Sequence, residues 1–322
     1  MIQMTNKPDP RKPRKIEPDP DLPERQLPPQ ILPGLFRGDY GLLTAMGGTG
    51  KSFFALTWAV FRLLGLEYYA DKGLPALNRI TYMAFEENPG ILQKRAEDIM
   101  CFFNKKIPGL MRYPEFYDPL IPQDRNRDIF ERLNLLSFKG VPVRLLNSDG
   151  TVNCQDVDLL KRNIPDGTDL LIVDPLIKIG GFNENDNCQA GYFAAVIEQI
   201  AVEKDLAILL SHHVSKQAGR DGINDQTSAR GASAIVDESR ATYPMCSSVF
   251  QYGEESYVGL SIESPKLNYM APQPSRRFFK VYGGIPIPES LTLYLNSAIP
   301  AEKSANRIKI PKRPYSKKEK KS

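Results

Sequence analysis

The sequence predicts an α/β protein built on a mostly parallel, twisted sheet with helices on both faces. Short β-rich apolar runs alternate with helical stretches through the middle of the chain, the pattern of parallel strands joined by covering helices. Four of those runs end in residues able to do chemistry, as expected where ligands bind beyond the carboxyl ends of the strands. A hydrophobic content of 41% in 322 residues supplies the core that such a sheet needs.

The two ends differ from this middle. Residues 1–34 hold nine of the 27 prolines, and residues 301–322 are mostly lysine, arginine and polar groups. Neither stretch can bury enough apolar surface to offset its ordering entropy. The expected organisation is therefore a proline-rich arm at 1–30, a folded domain at 31–300 and a basic tail at 301–322. The net charge of +4 divides into +1 for the arm, +7 for the tail and −4 for the domain. A basic tail on a mildly acidic body suits a polyanion partner, and equally a solvated segment that only keeps the protein in solution. Cys101, Cys154, Cys188 and Cys246 lie far apart with no CxxC or His/Cys cluster, so reduced thiols without a metal are expected. No signal-like N-terminal run occurs, and no apolar segment approaches the roughly 20 residues that span a bilayer; a cytoplasmic protein is expected.

The first strand is expected at about Tyr40 to Met46, and it runs into the glycine cluster "GGTGKS". Gly47, Gly48 and Gly50, with Thr49 between them, let the backbone curl so that its N–H groups aim at one point. Lys51 follows directly, placing an ammonium beside the β and γ phosphates of a nucleotide, and Ser52 offers a hydroxyl to magnesium. The helix that starts here adds its unpaired N–H groups and the positive end of its dipole. The pattern is G-x-x-x-x-G-K-[ST] with Ala45 in place of the first glycine, and a plain strand-to-helix turn is the alternative. "SFFALTWAVFRLLG" is apolar nearly all round, which predicts a buried helix with Phe53, Phe54, Trp58 and Phe61 in the core.

The second strand, in "RITYMAFEENPG", ends in Glu86 and Glu87. A carboxylate there can polarise an attacking water, and Glu86 is the candidate; both acids also suit a helix N-terminus, since Asn88 and Pro89 are helix-start residues. The third, "DLLIVDP", is apolar on both faces and ends in Asp174, a Walker B pattern in which the carboxylate orders magnesium through water. The fourth, "LAILLSHHVSK", ends in His212 and His213, the only histidines of the chain. Neighbours on a strand point to opposite faces, so at most one of them can face a phosphate. Four strands that deliver phosphate chemistry at one end favour a site for ATP and Mg2+ over a plain turn.

The order of these pieces resembles the RecA-like P-loop ATPases. Within them it is similar to the plasmid RepA-type hexameric replicative helicases, AAA family ATPases, over about Ile31 to Pro288. "YMAFEENP" with Arg95 downstream, "LIVDPLIK", "LLSHHVSK", "SARGASAIVDESRA", and "SPKLNYMAP" followed by "RRFFKVYGGIP" carry the resemblance. It implies antiparallel strands toward the C-terminus, Lys51 and Ser52 on phosphate and magnesium, Glu86 as catalytic glutamate, and Asp174 as the Walker B acid. His213 would couple the γ-phosphate to the loop behind it. Arg240 would be the arginine finger reaching into a neighbouring subunit, with Arg230 as competitor and Lys266 assisting from an edge strand; a solvated helix position is the plainer account of Arg240. "VSKQAGRDGINDQTS" is too long for an ordinary α/β connection and resembles a channel loop that holds single-stranded DNA. Lys216 and Arg220 would meet phosphates there, without sequence preference because no aromatic platform accompanies them. The implied protein is a homo-oligomeric ring, a hexamer, working on single-stranded DNA as the replicative helicase of a plasmid, phage or other mobile element, with an initiator or primase as a further partner and no membrane. A filament-forming recombinase-type ATPase and a nucleotide-switched assembly protein would share the same site residues.

Overall fold

A computed structural model describes residues 27–71, 73–110, 125–182, 186–214, 233–252, 255–262, 266–269 and 277–288. The chain opens with β1 (Gln30–Leu32) and β2 (Leu35–Phe36), then runs through β3 (Tyr40–Ala45), α1 (Lys51–Leu63), β4 (Ile80–Ala84), α2 (Pro89–Leu110), α3 (Arg125–Arg132) and β5 (Leu133–Ser137). It continues with α4 (Cys154–Arg162), β6 (Leu170–Asp174), α5 (Ile177–Gly180), α6 (Asn187–Lys204), β7 (Ala207–His213) and α7 (Ser233–Glu238). It closes with β8 (Ala241–Tyr252), β9 (Glu255–Ile262), β10 (Lys266–Leu267), β11 (Arg277–Tyr282) and β12 (Ile285–Pro288).

Among the described residues, ten strands form one sheet in the order β12-β11-β9-β8-β3-β7-β6-β4-β5, with β10 paired to β8 off that path. Neighbours from β5 to β8 are parallel. Beyond β8 the pairing turns antiparallel through β9, β11 and β12. This is the mostly parallel α/β sheet, with antiparallel strands toward the C-terminus, that the sequence leads one to expect. It places β3, β7, β6 and β4 side by side, so their four carboxyl ends meet at one edge. β5 is an addition to the sequence reading: Leu133–Ser137 follows α3 without a break and extends the parallel sheet beside β4.

Successive strand residues alternate between two cores, as the period of two requires. Leu43, Tyr82, Ile172 and Leu209 pack in one core with α1 and α2, while Leu42, Met83, Val173 and Leu210 pack in the other with α4, α6 and α7. α1 is buried along most of its length, including Arg62 in its last turn. Burial of that charge is compensated: the guanidinium donates to the carbonyls of Ile31 (3.2 Å), Leu74 (3.4 Å) and Pro75 (2.7 Å), and lies 3.9 Å from Asp71. Asp71 in turn accepts from the backbone N–H groups of Tyr68 (2.7 Å) and Tyr69 (3.1 Å) and from the Trp58 indole (2.9 Å). Trp58 is 1% exposed and meets the rings of Phe54, Tyr69 and Tyr243 edge-on. This network fastens the far end of α1 to the segment after it and fixes the direction of the helix whose start forms the site.

Candidate functional site

Between β3 and α1 the chain turns sharply. Gly48 (φ 78°) and Gly50 (φ 97°) occupy left-handed backbone that side chains with a Cβ rarely adopt. Thr49 closes the turn, donating to the Met46 carbonyl from its N–H (3.3 Å) and its hydroxyl (2.7 Å). The long helix α6 and helix α4 start with side-chain caps: Asn153 accepts from Asp156 at the head of α4, and Asp186 accepts from Cys188 and Gln189 at the head of α6. α1 has Gly50 at that position, no side-chain cap and no acidic residue in its first turn. Its N–H groups and dipole are thus offered to an anion from outside the helix.

They open onto a cavity of about 300 Å³, lined on one side by Gly48, Gly50, Lys51 and Ser52 and on the other by Glu86, Asp174 and His213. The Lys51 side chain is 5% exposed, and its ammonium donates to the carbonyls of Ala45 (3.0 Å) and Met46 (3.3 Å). It also lies 2.9 Å from His213 Nδ1. An ammonium only donates, so Nδ1 accepts and the proton of the neutral ring sits on Nε2. Burial pulls the Lys51 pKa down to about 8, against the pull of Asp174 and Glu86 in the other direction. Burial first, then Lys51, likewise lowers the pKa of His213.

Asp174, at the end of β6, is 7% exposed and accepts a 2.7 Å hydrogen bond from the Tyr82 hydroxyl on β4. Glu86 and Glu87 part company. Glu86 is half exposed and lies 3.3 Å from Lys178 on α5, whereas Glu87 forms an ion pair with Arg95 of α2. The Asn88 side chain accepts from the Gly90 N–H (3.1 Å) at the head of α2, so that helix start has its own partner. The Arg95 guanidinium also lies 4.7 Å from the centre of the Phe53 ring. Phe53 therefore differs from Phe54, Trp58 and Phe61: it is only partly buried and forms part of the cavity wall, because the first turn of α1 looks out toward α2. His212 points to the other face of β7, 3% exposed, and its Nδ1 has no hydrogen-bond partner among the described residues. Burial, His213 and Lys51 together push its pKa down to about 4.

Arg240 and Lys266 stand apart from this cavity. Arg240 precedes β8 and lies at the amino edge of the sheet, its Nε 4.0 Å from Asp39 and its terminal nitrogen 3.5 Å from Glu198. Its side chain is 38% exposed. Burial pushes the Asp39 carboxyl up to about 6, although Arg240 pulls it the other way. Lys266 donates to the carbonyls of Val236 (2.9 Å), Asp237 (2.7 Å) and Ser239 (3.1 Å), which end α7 and lead to Arg240. Lys216, Arg220 and Arg230, residues 1–26 of the arm, and the tail lie outside the described residues.

Sequence reasoning missed Tyr82 and Lys178. Tyr82 reads as one more core aromatic in an apolar strand, and only the adjacency of β4 and β6 reveals its bond to Asp174. Among the described residues no cluster of His, Cys, Asp and Glu could hold a metal by itself, and no helix is long and apolar enough to cross a membrane.

Among solved structures, the chain is similar to one described as an ATPase domain, at 14% identity over 78% of this chain and 85% of that one, with a TM-score of 0.47. A family model described as an AAA domain matches residues 8–219, from inside the proline-rich N-terminal stretch through the glycine loop, both acidic strand ends and the histidines. With its phosphate-type loop and the acids facing it inside that span, the chain belongs to the AAA domain family.

Proposed function

We propose that the protein is an ATP-hydrolysing motor that assembles as a ring, a hexamer, and moves along single-stranded DNA as the replicative helicase of a plasmid, phage or other mobile element. The observation that carries the nucleotide reading is the uncapped start of α1 with the buried Lys51 ammonium beside it, facing Glu86 and Asp174 across one cavity. The donor set fits a magnesium nucleotide: backbone N–H groups and Lys51 for phosphate oxygens, the Ser52 hydroxyl and the Asp174 carboxylate for the cation's side. Magnesium held by Ser52 and Asp174 would supply positive charge against the charge of the phosphates. Lys51 exchanges the Ala45 and Met46 carbonyls for phosphate oxygens. Glu86 orients the attacking water and accepts its proton, and His213, already against Lys51, faces the terminal phosphate. Catalysis of this kind is positioning and charge stabilisation more than covalent chemistry.

Arg240 acts on a neighbouring subunit's nucleotide, a reading supported by its partial exposure at the edge away from its own cavity. Lys266 anchors the turn that carries Arg240 by holding the last carbonyls of α7. Lys216 and Arg220 contact the phosphates of single-stranded DNA, and the basic tail adds salt-dependent affinity.

Two variants and one imaging experiment test this. Lys51→Ala should lose nucleotide binding in isothermal titration, while Glu86→Gln should bind normally and turn over roughly 100-fold more slowly, the range of a lost general base. Unchanged turnover in Glu86→Gln would shift the role to Glu87 or remove it. Electron microscopy with ATP, with and without single-stranded DNA, should show closed rings; open filaments on DNA would point to a recombinase, and rings whose turnover ignores DNA to an assembly protein.

A further inference from the structure

We infer that Tyr82 is a positioning residue for the metal side of the cavity: its hydroxyl holds one oxygen of Asp174 so that the other is presented to a divalent cation beside bound nucleotide. The inference rests on the reading of the cavity as a magnesium-nucleotide site. β4 and β6 are parallel, with Tyr82 opposite Ile172 and Ala84 opposite Asp174. Tyr82 and Asp174 therefore share the sheet face that packs on α1, with Asp174 one side-chain repeat closer to the carboxyl edge. The phenol spans that offset and donates to Asp174 Oδ2 at 2.7 Å, a length typical of a bond to a charged acceptor.

The hydroxyl oxygen also lies 3.5 Å from the carbonyl of Ser52. A phenol has one proton, and the shorter contact to the carboxylate takes it. Burial and the Asp174 charge raise the pKa of Tyr82 well above the ordinary value, so the hydroxyl remains a donor. The same hydroxyl thus sits where the Asp174 strand and the first turn of α1 come together, the two elements that would supply the cation's protein-side oxygens.

Packing alone does not call for a tyrosine here. Tyr82 is fully buried in the core shared with Leu43, Ile172 and Leu209, where a phenyl ring would fill the same volume. A buried hydroxyl has to find a partner, and a largely buried carboxylate has to be hydrogen-bonded. Each solves the other's problem. The terminal torsion of an aspartate is broad and nearly two-fold, so an unheld Asp174 would spread over orientations of which only some face the cavity. Fixing Oδ2 removes that spread and leaves Oδ1 for the cavity that Asp174 lines.

The test is Tyr82→Phe, which keeps the ring and removes the donor. ADP binding is followed by isothermal titration in EDTA and across a series of magnesium concentrations, with thermal unfolding as a check on folding. Expected is a magnesium midpoint raised about tenfold, in line with a lost hydrogen bond to a charged group, with affinity in EDTA changed by less than about twofold. In an Asp174→Asn background, the same substitution should produce no further shift, since the two groups act as one unit. An unchanged magnesium midpoint, an equal loss with and without magnesium, additive effects of the two substitutions, or a Tyr82→Phe protein that does not fold would each overturn the inference by making the hydroxyl structural. Wild-type protein that binds ADP with no gain from magnesium would break the cavity reading itself, and the inference with it.

Discussion

At the amino edge of the parallel strands, Asp169 is 2% exposed and is closed in by Arg37 and by the N–H groups of Asn78 and Arg79. Arg37 also reaches the Asp205 carboxylate at 3.3 Å, and Arg79 the Asp166 carbonyl at 2.9 Å. At the carboxyl edge, Lys51 and Asp174 are nearly as buried, yet each is held by neutral groups: the lysine by two carbonyls and an imidazole, the aspartate by a phenol. Opposite charges that meet directly weld chain segments together and have nothing left to offer. Opposite charges kept apart by neutral partners retain their capacity for a ligand that carries both signs, such as a phosphate with its cation. Arg240 is the exception at the amino edge, loosely held at 3.5 and 4.0 Å by two acids of which one has a raised pKa.

Whether Arg240 behaves as a welded charge or a free one tests this contrast most severely. Arg240→Ala should fold, assemble and bind ADP, yet hydrolyse ATP on the order of 1,000-fold more slowly, the scale of a lost arginine finger. Mixing it with Lys51→Ala protein should restore part of the rate, because some interfaces then pair an intact loop with an intact finger. If mixtures never exceed the sum of their parts, Arg240 belongs with Arg37 as a structural charge, and Arg230 is the next to test.

The cost of holding Lys51 without a counter-ion should be visible in its titration. Its pKa is lowered to about 8 in the free chain, and bound phosphate favours the charged form. Affinity for ADP in EDTA should therefore be level below pH 8 and fall as pH rises above it, by about tenfold per unit. A flat profile to pH 9.5 would mean that the ammonium is not held back by burial at all.

A more modest change is expected at the acid beside Arg240. Asp39 has its pKa raised from 3.8 to about 6, so the folded chain binds that proton more tightly than the unfolded one. Its contribution to stability is fully present below pH 3.8 and is lost as pH rises through about 6. Asp39→Asn should remove that loss and raise the midpoint of thermal unfolding by about 2 °C at pH 7.5, with no gain at pH 4. A lower midpoint at pH 7.5 would show that the Asp39–Arg240 contact is a weld after all.

How much of this was legible in the sequence follows the same division. β3, β4, β6 and β7 are central strands buried on both faces, so each appears as a largely apolar run that leads into the glycine loop or into polar residues, and the carboxyl-edge residues could be named one by one. β5 is an edge strand with Asn134 near its start and no functional residue to announce it. Tyr82's bond to Asp174 depends on strand order, and so does the grip of Asp39 and Glu198 on Arg240; neither leaves a trace in local spacing. Sequence order singled out Glu86 over Glu87, but their partners show only in three dimensions, where Arg95 pairs with Glu87 and Lys178 approaches Glu86. Lys266 was expected to assist Arg240 from an edge strand, and in the structure it grips the backbone carbonyls that lead to that arginine.

Trp58 is the only tryptophan of the chain, and it is set in the middle of α1 with its indole N–H held by a buried carboxylate. The indole emission of the protein thus comes from a single ring in a dry aromatic cage. Its N–H partner, Asp71, ties the helix that begins at the glycine loop to the segment that follows it. The molecule carries its own optical gauge of whether that helix is seated, with a signal free of contributions from any other indole.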